Sequence, residues 1–168
     1  MGQTTEQLDD VKVRRDSVTA QVSVDCAEAR CMVLSVEERD PRSWRRQDLL
    51  DLLESDGRFL PARELEGRWV LLSKRSIAWV AHDPDVETGG EGGEGLFDVE
   101  HVVDVEFRDG SVMRGALRYA APPARARVKD FLNEAGRFFR LYRDGRIVVV
   151  NKAFVACVRE AGEGPAGR

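Results

Sequence analysis

The residues able to do chemistry in this chain are few. There are two histidines, His82 and His101. Neither stands at a recognisable spacing from a serine, cysteine or aspartate that would make it the base of a nucleophilic relay. Both are therefore assigned surface or structural roles. Asp51 and Asp130 occur in matching contexts and could be read as paired carboxylates for acid–base work. A place near the start of a helix, where a carboxylate favours the positive end of the dipole, explains them more simply. Lys74 and Lys152 read as strand-end charges. Cys26, Cys31 and Cys157 cannot all pair and show no CxxC spacing, so reduced, mostly buried thiols are expected rather than a disulfide framework or a zinc site. The chain reads as a non-enzyme, with no catalytic residues, no cofactor and no metal implied.

Binding chemistry is better represented. The run Thr88-Gly89-Gly90-Glu91-Gly92-Gly93-Glu94-Gly95 lacks a lysine and a following apolar helix, so it fails as a phosphate loop and reads as a linker. Arg42-Ser43-Trp44-Arg45-Arg46 holds the R-x-x-x-R spacing used by cyclic-dinucleotide sensors of the PilZ type. Those domains also need D/N-x-S-x-x-G, which Asp109 to Gly115 misses by one residue, so cyclic-dinucleotide sensing is a minor alternative. A nucleic-acid surface could be built from Arg114, Arg118, Arg125, Arg127, Arg140 and Arg143, with Tyr119, Phe139 and Tyr142 interleaved. The formal net charge of -4 and the acidic glycine-rich segment oppose it.

Composition sets the outer bounds. A chain of 168 residues holds one ordinary domain or two very small ones, and 42% hydrophobic content is too much for wholesale disorder. No apolar run approaches the roughly 20 residues needed to cross a bilayer, and Met1 to Asp10 lacks a signal-peptide core. The expected compartment is the cytoplasm, with no membrane partner.

The elements that must position these residues are written twice. Val22, Val24, Met32 and Val36 match Val103, Val105, Met113 and Leu117 (103 − 22 = 81). Asp51, Leu53, Gly57, Arg58 and Phe59 match Asp130, Leu132, Gly136, Arg137 and Phe138 (130 − 51 = 79). Gly67, Arg68, Val70, Lys74, Ala78 and Val80 match Gly145, Arg146, Val148, Lys152, Ala156 and Val158 (145 − 67 = 78). Each copy reads as ββαββ. The second has an alternating strand through Val103, Val105 and Phe107, a turn at Asp109-Gly110, and a strand closed by Pro122-Pro123. A short helix follows, with Val128, Phe131 and Leu132 on one stripe, ended by Gly136 in a left-handed conformation. After a turn at Asp144-Gly145, Ile147 to Val150 reads as a strand buried on both faces, and Phe154 to Val158 as the last strand.

The fold expected is mainly β (α+β): two tandem ββαββ units, small barrel or sheet modules packed as a pseudo-symmetric pair with their apolar central strands meeting. The divisions are an N-terminal extension at 1–17, the first repeat at 18–81, a flexible acidic linker at 82–98, the second repeat at 99–159 and a loose tail at 160–168. A change of alternation across Arg15-Asp16-Ser17 predicts a turn or bulge there, after a possible edge strand at 11–15.

The pattern Arg127-Val128-x-Asp130-Phe131-Leu132-Asn133, then Phe138 and Leu141, then Val150-Asn151-Lys152-x-x-Val155, resembles a small bacterial domain family of uncharacterised function. The second copy fits well. The first departs, with Glu54 in place of the asparagine and Ser73-Lys74 in place of Asn-Lys. The resemblance implies a compact, mainly β domain and brings no catalytic residues.

The function expected is a non-catalytic protein-interaction or adaptor module of a bacterial signalling or assembly system, its partner another protein. Where the copies differ the first is the more apolar: Leu50 stands opposite Lys129, Pro61 opposite Arg140 and Trp79 opposite Cys157. Trp44 and Leu50, with Arg45 and Arg46, form the expected partner-binding patch. The competing reading has Trp44 and Leu50 filling the joint between copies.

Overall fold

Period-two alternation and tight turns build the molecule hairpin by hairpin. A computed structural model describes residues 15–37, 47–84, 97–134 and 136–161. In chain order the elements are β1 (Arg15–Val24), β2 (Arg30–Glu37), α1 (Leu49–Glu54), β3 (Phe59–Glu64), β4 (Trp69–Ser73), β5 (Ile77–His82), β6 (Val99–Phe107), β7 (Val112–Tyr119), α2 (Val128–Leu132), β8 (Phe138–Arg143), β9 (Arg146–Asn151) and β10 (Val155–Glu160). The expected turns are present. Gly110 has φ +86°, and the Asp109 carboxylate accepts from the Ser111 amide at 3.0 Å. Asp144 and Gly145 both have positive φ, 50° and 72°, as a tight two-residue hairpin requires.

All ten strands join one antiparallel sheet in the order β10-β6-β7-β8-β9-β5-β1-β2-β3-β4. It is open, ending at β10 and β4, and is not closed into barrels. The lateral edge of β5 that faces away from β1 is taken up by β9, so the two halves meet edge to edge as a continuous sheet.

Each half runs β-β-α-β-β-β, one strand more than the sequence suggested. The extra strand is β3 in one half and β8 in the other. Pro61 obscures β3, because proline cannot donate to a ladder. It is tolerated one residue beyond the β2·β3 pairing, which stops at Leu34↔Ala62. Within each half the strand order is fifth, first, second, third, fourth. The registers correspond as well. Val22↔Val80 has its counterpart in Val105↔Val158, Val33↔Arg63 in Ala116↔Tyr142, and Phe59↔Ser73 in Phe138↔Asn151. The first two strands thus correspond at a separation of 83 (105 − 22 = 83), not the 81 that matching side chains gave. A shift of two residues preserves the inward and outward alternation of a strand, so residue types alone do not detect it.

Other boundaries also move. β1 runs without a break through Arg15, Asp16 and Ser17, and its irregularity lies at Ser23/Val24 instead. Residues 15–17 are exposed, beyond the part of the strand the core covers, so their alternation carries no signal. His82, expected to open the linker, is the buried last residue of β5, and Glu160, expected in the tail, pairs with Val103. Residues 85–96, most of the expected linker, lie outside the described residues, as do 11–14 of the N-terminal extension and 162–168 of the tail.

Two cores form, each covered by its own short helix. One gathers Val18, Val22, Leu34, Leu49, Leu53, Ile77 and Val80, and takes Phe138 and Val149 from the second half. The other gathers Val103, Val105, Phe107, Leu117, Leu141 and Val150, and takes Ala81 and Trp79 from the first half. β9 is buried on both faces, as its unbroken apolar run implied.

The helix ends are held by side chains that the sequence under-described. Asp48 is the N-cap of α1, accepting from the Asp51 amide at 2.8 Å, while Asp51 and Asp130 sit in the first turns. Lys74 is no strand-end charge: it is 3% exposed, and its Nζ donates to Leu52 O (2.6 Å), Ser55 O (3.0 Å) and Ser55 Oγ (2.7 Å) at the end of α1. Lys152 donates in the same way to Glu134 O at 2.9 Å, after α2. Gly136 has φ +123°, but it lies beyond Asn133, which caps α2 in a right-handed conformation.

β7 packs closely on β8 because Gly115 has no side chain. A Cβ there would stand 2.6 Å from Leu141 Cγ and 2.9 Å from the backbone oxygen of Tyr142. Gly115→Ala is expected to destabilise the fold by about 1–3 kcal/mol in chemical denaturation, since the backbone contact cannot rotate away. Lys74→Met removes the donor to three acceptors and is expected to cost about 1–3 kcal/mol, with a smaller loss for Lys152→Met. Burial, and then the Arg137 guanidinium, hold the Lys74 amine below its ordinary pKa. The unfolded chain therefore binds this proton more tightly, and stability should rise with pH across the alkaline window just below the ordinary lysine value. Lys74→Met should flatten that limb in denaturation series at several pH values.

Candidate functional site

The site that sequence reasoning nominated is only partly in view. Trp44, Arg45 and Arg46, and Arg42 of the cyclic-dinucleotide spacing, lie outside the described residues. Leu50 is half-buried and packs against the first core, whereas Lys129, its counterpart on α2, is exposed. The two positions thus differ in exposure, on a helix whose Asp48 and Glu54 are bonded to β8 of the second half. Trp79 is half-buried against the second core and so belongs to the joint.

That joint is built from α1, β5, β8 and β9. β5 and β9 pair through Trp79↔Val150, Val80↔Val149, Ala81↔Val148 and His82↔Ile147. The Glu54 carboxylate accepts from the backbone amides of Arg137 (2.6 Å) and Phe138 (2.7 Å). The Arg137 guanidinium answers by donating to the carbonyls of Leu53 (3.1 Å), Glu54 (2.8 Å) and Ser55 (3.3 Å) at the end of α1. Arg140 pairs with Asp48 at 2.6 Å, Arg146 with Asp83 at 3.2 Å, and the Asn151 amide donates to Ile77 O at 2.8 Å. Glu54 is thus a residue that latches the first half to the second.

The arginines of the nucleic-acid reading do not assemble into a free basic face. Arg118 pairs with Glu100 at 2.7 Å and lies over the Tyr142 ring, Arg143 pairs with Asp144 at 2.8 Å, and Arg114 stands 4.0 Å from Asp104. Arg140 is committed to the joint. Arg125 and Arg127 are exposed ahead of α2.

The histidines are engaged structurally. His82 is buried, with Nδ1 3.0 Å from Asp83 O. His101 Nε2 lies 3.0 Å from Ala126 O, and its ring stacks on Tyr119, which stacks on Phe131 of α2 with ring centres 4.4 Å apart. Among the described residues no group of three or more His, Cys, Asp or Glu side chains gathers at a metal-binding geometry. Cys31 is exposed, against the expectation of mostly buried thiols, whereas burial pushes the thiols of Cys26 and Cys157 above their ordinary pKa.

What the sequence missed is the apolar surface of the β3–β4 hairpin. Phe59 is 59% exposed, Trp69 65% and Leu71 70%, and Leu65 in the turn is exposed too. β4 is also a terminal strand of the sheet, with no hydrogen-bonded neighbour on its outer side among the described residues. Exposed apolar side chains beside open backbone groups are the usual make-up of a strand-docking surface. A signal existed: Trp69, Leu71 and Phe59 stand where the second half has Ile147, Val149 and Phe138.

These features define a mainly β protein with an open antiparallel sheet and a bare apolar edge. No family model, no curated protein and no solved structure matches the chain. No helix among the described residues is long and apolar enough to cross a membrane.

Glu54→Ala leaves two junction amides without an acceptor and is expected to destabilise the fold by about 1–3 kcal/mol, whereas Glu54→Gln, which keeps one acceptor oxygen, should cost less. Urea denaturation of the two variants beside the parent chain checks the order.

Proposed function

We propose that the chain is a non-catalytic protein-interaction module of a bacterial signalling or assembly system, docking its partner on the β3–β4 edge. The observation that carries the reading is the coincidence of an unpaired terminal strand with Phe59, Trp69 and Leu71 exposed alongside it. A partner strand added to β4 would satisfy its open amides and carbonyls, while the three side chains supply the apolar anchors. We read the two halves as tandem versions of one module, as their corresponding ladder registers support. The resemblance of the second half to a small bacterial domain family fits this reading.

Two alternatives are less well supported. A nucleic-acid surface would have to draw Arg118, Arg140 and Arg143 away from the carboxylates they face. A histidine-based catalytic reading gains no support from the partners the rings have: His82 Nδ1 lies against Asp83 O, and His101 lies between Ala126 O and the Glu160 carboxylate.

Alternation of bonded and non-bonded pairs places the Leu71 amide on the outer side of β4, since Lys74 donates to Arg58 O and Glu64 to Arg68 O. Leu71→Pro therefore blocks the edge without breaking the β3·β4 ladder. In affinity purification from the native host, proteins retained by the parent chain should be lost with Leu71→Pro and kept with Arg125→Ala, a change at an exposed position away from the edge. Identical retention by parent and Leu71→Pro would rule the edge out as the docking surface.

A further inference from the structure

We infer that the partner docked on β4 is a second copy of this chain, which adds its β10 there and so repeats between molecules the junction that β5 and β9 make within one. This rests on reading the β3–β4 edge as a docking surface and goes further by naming the occupant.

The two ends of the sheet are the two sides of the internal joint. In that joint the fifth strand of the first half, β5, meets the fourth strand of the second, β9. The strands left at the ends are the fifth strand of the second half, β10, and the fourth strand of the first, β4. At the separation of 78 that relates these strands, Trp79 and Val80 correspond to Cys157 and Val158, and Val150 and Val149 to Leu72 and Leu71 (150 − 72 = 78). The intermolecular register is therefore Cys157↔Leu72, Val158↔Leu71, Arg159↔Val70 and Glu160↔Trp69.

The side chains support the same occupant independently. Phe138 and Val149 are 5% and 0% exposed within the first half's core, and Ile147, 6% exposed, pairs with His82 at the end of the joint. Their counterparts are Phe59, Trp69 and Leu71, all of which stand bare. The receiving side has the matching shape. A concavity of about 520 Å³ is lined by Val128, Lys129, Leu132, Asn133, Val158 and Glu160. The counterparts of Val128, Leu132 and Val158 in the first half are Leu49, Leu53 and Val80, which pack in one core with Phe138 and Val149. The open concavity is thus the second half's version of the seat that Phe138 and Val149 fill in the first. Phe59 and Leu71 of another molecule are the residues equivalent to that pair.

The polar contacts carry over in part. Arg58 stands where Arg137 does, and its guanidinium would meet the carbonyls of Leu132, Asn133 and Glu134 after α2. Asn133 stands where Glu54 does, and its amide oxygen would accept from the Phe59 amide. Two ion pairs do not carry over. Arg140–Asp48 becomes Pro61 facing Arg127, and Arg146–Asp83 becomes Arg68 facing Ala161. The intermolecular joint is therefore weaker than the internal one, and assembly should be reversible and concentration-dependent. Because the two surfaces differ, the contact is heterologous and propagates into a ring or a filament rather than stopping at a two-fold dimer.

Sedimentation velocity on the full chain should show an average mass that rises with concentration. Phe59→Asp with Leu71→Lys, both at exposed positions, should remain monomeric with an unchanged circular dichroism spectrum. Glu160→Pro, which blocks the outer side of β10, should also lose association. Mixing the two variants is the decisive arm: one keeps an intact β10 and the other an intact β4, so the mixture should form a heterodimer and nothing larger. A parent chain that stays monomeric at every concentration, or one whose association survives Phe59→Asp with Leu71→Lys, overturns the inference. A monomeric parent whose retained proteins are nonetheless lost with Leu71→Pro overturns self-assembly alone and leaves the docking edge standing.

Discussion

Every backbone amide and carbonyl along a strand must find a partner or face water, and the pairing of β5 with β9 is where this requirement binds the two halves together. Both strands are apolar along nearly their whole length, so neither tolerates being a solvated edge. Brought together they satisfy each other's backbone groups and put alternate side chains into both cores: Val80 and Val149 into one, Ala81, Val148 and Val150 into the other. Units of about 60 residues bury too little surface to be secure alone. Here each core is completed by side chains from the other half, and the halves depend on one another for more than proximity.

The polar groups around that seam act on the helix ends. Glu54 reaches across to two amides of the second half, and Arg137 returns to the carbonyls at the end of α1. Lys74 satisfies the same turn from below. A six-residue helix has little stability of its own, since nearly all its backbone groups are terminal. Its position is set by what caps it. Glu54 at the end of α1 reaches two amides of the second half, so the helix end and the joint are fixed together.

An open sheet resolves one pair of edges and leaves another. In the second half the β8–β9 hairpin is covered, so its apolar face is core. In the first half the corresponding hairpin carries apolar residues without a cover among the described residues. Natural edge strands usually carry charge, proline or a bulge that discourages addition of another strand. β4, reading Trp-Val-Leu-Leu-Ser, has none of these along its length. Its composition is that of an interior strand placed at a boundary, and this gives the functional proposal its physical basis.

Much of this architecture was legible in the residues themselves. Period-two alternation, Asp-Gly turns and the unbroken run Ile147 to Val150 pointed to strands, hairpins and a strand buried on both faces, because these depend on local geometry that side-chain type reports directly. Pairing across the chain was not legible in the same way. A two-residue offset leaves alternation intact, so the register of the first hairpin emerged only from its ladders. Lys74 looked like a surface charge until the end of α1 was seen lying over it. Phe59, Trp69 and Leu71 have the same residue chemistry whether covered or bare. Composition and periodicity determined that this chain is mainly β and built from hairpins. Which strand lies at the end of the sheet, and so which apolar residues remain exposed, was decided only by the tertiary structure, because burial is a property of neighbours that are distant in sequence.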